Sequence, residues 1–455
     1  MRLQESAPAA AGDSLDVRYE DRLIGRIRRR TEAVQDIEFV YDEAWMSDPN
    51  SFPVSTRMPL ARRLHEPDIV YSWFLNLLPE GRTLQTIGAI LRIPETDVFA
   101  LLEEMGEDLP GALEISRPLD ERRKRNPRYR KLTEAELAET IRKLPDRPFL
   151  VGEEGIHMSL AGAQDKLPVV QYPDGAIGLA LDGMPTTHIL KPANKRFHSA
   201  VENEAFCLRL AAAVKLPVAE CSTGRAEDVE YLLVKRYDRP IKRGRVRRIH
   251  QEDFCQATGY IPHLKYEWNP QTKQSGPGLK ACLDVLTPTG NAAANKVRFV
   301  DYVVFNVLTG NVDAHAKNYS LLLEAGGAVT MAPLYDVMNG EIYEGVTRNL
   351  AMKIAGKNRG RYIGARHWDR FAEENALSAT QVKRRVAALS QAVLAALPGV
   401  VAEMNAAKTS PTYQQIEGYI ASTCRSMLAN LKNDLKDKPL EDDNAARGDQ
   451  PPGFS

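Results

Sequence analysis

The chain has 455 residues, and its 60 Lys and Arg balance 60 Asp and Glu, so no overall positive field would gather nucleic acid non-specifically. No run of about 18 uninterrupted apolar residues occurs, and the start, "MRLQESAPAAAGDSLDV", lacks the apolar centre of a secretory signal, which speaks against a membrane role. The five cysteines, Cys207, Cys221, Cys255, Cys282 and Cys424, are scattered and never form C-x-x-C; neither a disulfide framework nor a zinc site is signalled, and a reducing cytoplasm is expected.

In chain order, residues 1–118 mix strand-like runs such as "IEFVYDEAWM" with turn residues in "SDPNSFPVS" and then become helical around "IVYSWFLNLLPEGRTLQTIGAIL". That texture predicts a small α+β unit, with "WFLNLLP" in its core. Residues 119–150 hold "RRKRNPRYRK", read as an exposed connector because Tyr129 is its lone aromatic, followed by "LTEAELAETIRKL", a predicted helix with Thr133 and Glu136 at capping-box spacing. Over residues 151–240, "LPVVQY", "THILKP" and "YLLVKRYDR" predict strands, Asp174 and Gly175 a hairpin turn, and "VENEAFCLRLAAAVKL" a helix. Residues 241–435 are predicted mostly helical, interrupted by an exposed basic hairpin in "PIKRGRVRRIH" and by the hairpin "SLLLEAGGAVTM". Residues 436–455 are charged and Pro/Gly-rich, the composition of a disordered tail.

One loop crowds polar groups unusually: "GNVDAHAKNYSLLL" follows the apolar run "FVDYVVFNVLTG". Asp313 and Asn318 have the D-x-x-x-x-N spacing with which kinases set a base against a substrate hydroxyl and an amide oxygen against magnesium. A strand, a Gly-Gly turn and a second strand lead to Asp336 in "APLYDVMN", available as a second hard oxygen donor. Alone the spacing is weak, since Asp and Asn are common loop residues; with the hairpin and Asp336 it gains specificity. Lys191, at the end of a predicted strand, is a candidate phosphate cation with Glu204 thirteen residues on as its partner, although a surface lysine fits the local sequence equally well. In "MSLAGAQDKLPVV", Gly162 and its alanine neighbours would let backbone N–H groups approach phosphate oxygens, without the G-K-[ST] ending of a Walker loop. A metal hydrolase is disfavoured: D-x-H at Asp313 and His315 has no H-x-H or H-E-x-x-H beside it.

Seven segments in order, "SLAGAQDKL", "THILKP", "ENEAFCLRLA", "VKRYDR", "QEDFCQATG", "VDAHAKNYSLLL" and "APLYDV", with "FVYDEAW" and "NLLPEG" before them, resemble the HipA-type serine/threonine kinases, the toxin halves of bacterial toxin-antitoxin modules. The resemblance covers nearly all but the first dozen residues and the tail. It implies an α+β, divergent two-lobed kinase-like fold, with an α/β N-terminal region and a mostly helical C-terminal domain. It makes Asp313 the catalytic base, Asn318 and Asp336 magnesium ligands, and Lys191 a phosphate contact. Nucleotide binding falls to Ala161, Gly162, Ala163, Gln164, Asp165 and Lys166, to His315, Lys317 and Asn318, and to the main chain of Lys235, Arg236 and Tyr237 as adenine hinge. Ser159 matches the family's autophosphorylation serine.

The implied activity is ATP- and Mg2+-dependent phosphorylation of a protein serine, with glutamyl-tRNA synthetase as target, growth inhibition as outcome, a HipB-like helix-turn-helix antitoxin as partner, and operator DNA met through that complex. Basic "GRIRRRTE" and "PIKRGRVRRIH" would touch phosphates there only as a minority reading. A small-molecule kinase and a catalytically silent co-repressor remain the alternatives.

Overall fold

In the strand Ile37–Tyr41, Ile37, Phe39 and Tyr41 are buried while Glu38 and Val40 are partly exposed, the two-residue period of a sheet with one face on a core. The structure, a computed structural model, describes residues 14–118, 126–162, 164–194, 196–270 and 272–432; the tail, Ala163 and the basic run Arg122–Arg125 lie outside them. Ile37–Tyr41 belongs to a five-stranded antiparallel sheet in the order Leu64–His65, Ile37–Tyr41, Arg22–Arg29, Ser14–Tyr19, Leu113–Ser116. The basic run "GRIRRRTE" is largely neutralised there: Arg26 pairs with Asp16, Arg29 with Asp97 and Arg30 with Glu66.

The helical stretch after this sheet divides into Pro67–Leu75 and Gly81–Leu91. Pro79 has no N–H to continue a helical ladder, and the break carries Asn76 and Glu80 toward the other half of the molecule.

A second, six-stranded sheet runs Cys221–Ala226, Val229–Lys235, His188–Pro192, Leu167–Gln171, Ile177–Leu181, Arg128–Lys131. Gly175, at φ +84°, sits in the expected hairpin turn. The connector expectation needs correction: Arg128–Lys131 pairs antiparallel with Ile177–Leu181 as an exposed edge strand, whose charges discourage further pairing. Apolar side chains of the two sheets form one continuous core, from Leu15 through Leu179 to Leu233. The helix Glu134–Lys143 begins with the Thr133–Glu136 capping box.

A second core joins the helix Ala200–Ala213 to the helical half, built from Leu279–Leu286, Ala292–Thr309, Ala365–Glu374, Ala379–Ala407 and Pro411–Lys432 with the small sheet His250–Asp253, Ser320–Leu323, Val329–Met331. Among the described residues, Ala379–Ala407 is long and apolar enough to cross a membrane by length and composition. Here its Val386, Val393, Leu397 and Val400 are buried in the core.

The two halves are stitched by buried charge. Asp108 receives Arg236 (3.1 Å) and Arg239 (2.9 Å), and both arginines also hold Asp238. The basic hairpin Ile241–Lys242 with Arg245–Val246 is exposed as expected, but Arg248 beyond it turns inward to Glu114 (3.4 Å). Nearby, the buried Glu252 accepts hydrogen bonds from Ser55, Thr56 and Trp73 of the N-terminal unit. Burial alone would raise the Asp108 pKa, but the surrounding guanidinium groups hold it well below the usual carboxylate range. Removing its charge strands buried arginines, so Asp108→Asn is expected to cost about 3–5 kcal/mol. Urea unfolding of the variant checks this through a lowered midpoint at unchanged slope.

Candidate active site

The catalytic-loop candidates are positioned by the helix Ala292–Thr309, which ends at Gly310 in the left-handed conformation (φ +67°). Glycine takes that conformation without steric cost, and the chain turns directly into Asn311–Asn318. A short 3-10 turn at Ala316–Asn318 and the strand Ser320–Leu323 then hold Asp313 and Asn318 on one side of a cleft between the second sheet and the helical half.

Opposite them, Lys191 sits on the central strand His188–Pro192. Its ammonium donates to Glu204 (2.7 Å), on the helix Ala200–Ala213, and to Asp336 (2.8 Å). Asp336 itself holds φ +58°, a conformation that typically costs a non-glycine residue on the order of 1–3 kcal/mol and clusters at functional sites. Burial would raise the Asp336 carboxyl, but Lys191 outweighs it and keeps the group below its ordinary pKa. Burial works against the Lys191 charge too, and Asp336 with Glu204 more than offset it, so the lysine stays protonated.

Asp313 is buried, and burial pushes its carboxyl up to about 7, against Lys265 and the Tyr266 hydroxyl, which donates to Oδ1 (2.6 Å), with Asp336 and Glu80 adding to the rise. A carboxylate poised near neutrality suits a general base. Asn318 donates its amide nitrogen to the Asp313 carbonyl (2.9 Å), leaving its amide oxygen as an acceptor, and the Asp336 side chain is 38% exposed to the cleft. These hard oxygens fit magnesium, which keeps several water or phosphate ligands. Among the described residues no three Asp, Glu, His or Cys side chains gather at one point, so the protein would supply only part of the shell.

Ala161, Gly162, Gln164 and Lys166 line the cleft, as do Lys235, Arg236, Tyr237, His315, Lys317 and Asn318; Asp165 is on the same loop without lining it. Lys166 donates to the Ala161 carbonyl (2.7 Å), and burial, helped by Lys191, lowers its pKa to about 8. The N–H groups of Lys235 and Arg236 are spent on the Glu220 and Thr187 carbonyls. Burial drives His315 well below its ordinary pKa, so it is neutral, and its Nδ1 is buried without a hydrogen-bond partner. Ser159 does not line the cleft: it is fully buried behind it, its hydroxyl donating to the Leu77 carbonyl (3.1 Å).

The cleft also contains residues that motif spacing did not single out. Lys317 is fixed by Asp253 (2.7 Å) and Asn76 (2.8 Å), and Lys265 by Glu80 (2.9 Å). Asn76 and Glu80 lie in "NLLPEG" and Asp253 in "QEDFCQATG", segments noticed only as parts of the resemblance.

Because the folded-state pKa of Asp313 lies above the ordinary aspartate value of about 3.9, its protonated form stabilises the fold fully below about pH 4, and that stabilisation is lost as pH rises through about 7. Asp313→Asn, which keeps an acceptor for Tyr266, should therefore raise the melting temperature of the nucleotide-free protein more at pH 8 than at pH 5. Scanning calorimetry at both pH values tests the difference, and equal increments would contradict it.

Comparison with known proteins bears on the family. The family model of the HipA-like C-terminal domain matches residues 158–397, and that of the HipA N-terminal domain matches residues 15–116. The Sinorhizobium fredii protein Y4mE is 36% identical over 85% of this chain and 91% of its own length. The serine/threonine-protein kinase toxin HipA of Shewanella oneidensis is 30% identical over 75% of this chain and 78% of its own. A solved Shewanella oneidensis structure, of HipA with HipB and operator DNA, superposes with a TM-score of 0.80 at 24% identity, covering 91% of this chain and 97% of that one, which supports the kinase-like α+β fold. The chain belongs to the HipA family of serine/threonine kinase toxins.

Proposed function

We propose that this kinase transfers the γ-phosphoryl group of ATP to a protein serine or threonine, with Asp313 as the base. The observation that carries the reading is the convergence of Asp313, Asn318, Asp336 and the Lys191–Glu204 pair on one cleft, with the base held near neutrality. Asp313 would take the hydroxyl proton, and its hydrogen bond from Tyr266 keeps the carboxylate oriented. Asn318 and Asp336 would hold magnesium, which when bound supplies charge neutralisation for the phosphate oxygens. Lys191 would meet the phosphates while Glu204 holds its ammonium in place. Lys166 needs only to give up a backbone carbonyl to do the same. With the Lys235 and Arg236 N–H groups engaged, adenine contacts in the hinge fall to Tyr237 and to main-chain carbonyls.

Ser159 fits a self-silencing role. A phosphoserine dianion has no room in its buried site against the Leu77 carbonyl, so modification would expel the loop carrying Ala161, Gly162 and Lys166 and remove its contacts to the nucleotide. By analogy with the family, the outcome is arrest of translation and growth through an aminoacyl-tRNA synthetase, glutamyl-tRNA synthetase being the candidate target. The Shewanella oneidensis complex supports a HipB-like antitoxin as partner, with operator DNA reached through it, and a cytoplasmic setting would suit that assembly.

Loss of a positioned base typically costs about 10²- to 10⁴-fold in rate, so Asp313→Ala should remove both phosphate transfer and growth inhibition on expression. Undiminished inhibition would overturn the catalytic reading and point to a different mechanism. In a second experiment, peptide mass spectrometry after incubation with magnesium and ATP should place phosphate on Ser159 in the wild type and none in Asp313→Ala. Ser159→Ala should keep transferring phosphate after the wild type has fallen silent, and identical decay of the two would sink the self-silencing role.

A further inference from the structure

The break between Pro67–Leu75 and Gly81–Leu91 sends an acid of the N-terminal domain into the cleft, and neither the base, the metal ligands nor the phosphate loop accounts for it. Glu80 has a side chain only 10% exposed. Its backbone N–H donates to the Gly162 carbonyl of the phosphate loop (3.2 Å), and Pro79 pairs with Gly162 in a parallel bridge. One carboxylate oxygen accepts from Lys265 Nζ (2.9 Å); the other lies 3.9 Å from Lys317 Nζ and is buried without a hydrogen-bond partner. Lys265 is joined in turn to the catalytic loop, since its carbonyl accepts the Ala316 N–H (3.1 Å) and the next residue, Tyr266, donates to Asp313 (2.6 Å).

We propose that Glu80 is a positioning residue for phosphoryl transfer: it holds Lys265 beside, but off, Asp313 and ties the N-terminal domain to the phosphate loop, so that this domain completes the kinase centre. The inference rests on Asp313 being the base. An ammonium on a flexible four-carbon stem has several places to go. Without Glu80, the next carboxylate acting on buried Lys265, and lining the same cleft, is Asp313, and an ion pair there would occupy the base. With Glu80 in place, Lys265 stays charged at the edge of the cleft, where a developing phosphoryl charge can use it. The main-chain bond to Gly162 sets the phosphate loop in register with the same residue, so one position of the N-terminal domain aligns both sides of the transfer.

The test uses the full chain with magnesium and radiolabelled ATP, reading single-turnover phosphate incorporation into the chain itself and into casein as a probe, alongside the dissociation constant of a fluorescent ATP analogue. Glu80→Gln keeps the shape and removes the charge; assayed well below its melting temperature, which falls because buried Lys265 loses its partner, it should transfer phosphate about 10²-fold more slowly, the scale of a mispositioned catalytic group, with nucleotide affinity within about threefold. Glu80→Asp should recover part of the rate. Lys265→Met should show a similar loss, and the double variant Glu80→Gln, Lys265→Met no greater loss than either single change, as for residues acting as a unit. A wild-type rate in Glu80→Gln, losses that multiply in the double variant, or a rate loss that only tracks lowered thermal stability and weakened nucleotide binding would each overturn the proposal. Asp313→Ala run in parallel separates the two levels: a wild-type rate there removes the base assignment and the proposal with it, whereas a silent Asp313→Ala beside an unaffected Glu80→Gln removes only the role of Glu80.

Discussion

The ammonium of Lys191 is buried, and a buried charge must be balanced where it stands. Its two counter-ions come from different elements: Glu204 from the helix Ala200–Ala213 and Asp336 from the loop after the hairpin of Ser320–Leu323 and Val329–Met331. Helix, strand and loop therefore have one favourable mutual arrangement, and that arrangement builds the cleft. The same rule recurs around it, with Lys317 on Asp253 and Lys265 on Glu80. The site is a lattice of opposed charges recruited from segments spread between Asn76 and Asp336.

Several members of this lattice are held away from their preferred states. Asp313 is raised to about 7, Lys166 is lowered to about 8, and Asp336 carries a left-handed backbone. Each costs folding free energy that a well-packed apolar cleft would not, and such costs are tolerated where chemistry needs them. The surrounding cores supply the compensation, with Leu208, Phe299 and Val304 buried behind the site and Trp73 and Phe74 on the N-terminal side.

The N-terminal domain is more than an attachment. Its apolar side chains share a core with the second sheet, and Asp108 and Glu252 bind the halves through buried polar contacts. Family models treat residues 15–116 and 158–397 as separate matches, yet physically the seam between them is interior. Arg236 and Arg239 explain why: the chain leaving the strand Val229–Lys235 is anchored by an acid of the N-terminal domain, so the geometry of this wall of the cleft depends on how that domain is seated.

Local pattern in the sequence determined what is local in the structure. The capping box of Thr133 and Glu136, the turn at Gly175 and the D-x-x-x-x-N loop with its hairpin all depend on neighbours a few residues apart, and all are legible in the sequence. Only the tertiary structure decided which charges meet. Asn76 reaches Lys317 across 241 residues and Trp73 reaches Glu252 across 179, and no spacing announces such pairs. Arg128–Lys131 looked like a connector because pairing with Ile177–Leu181 is a long-range event, and Arg248 looked exposed because its acid, Glu114, is 134 residues away. The ionisation of Asp313 belongs to the same class, since burial and the groups facing it, rather than its neighbours in sequence, set the energy of a charge.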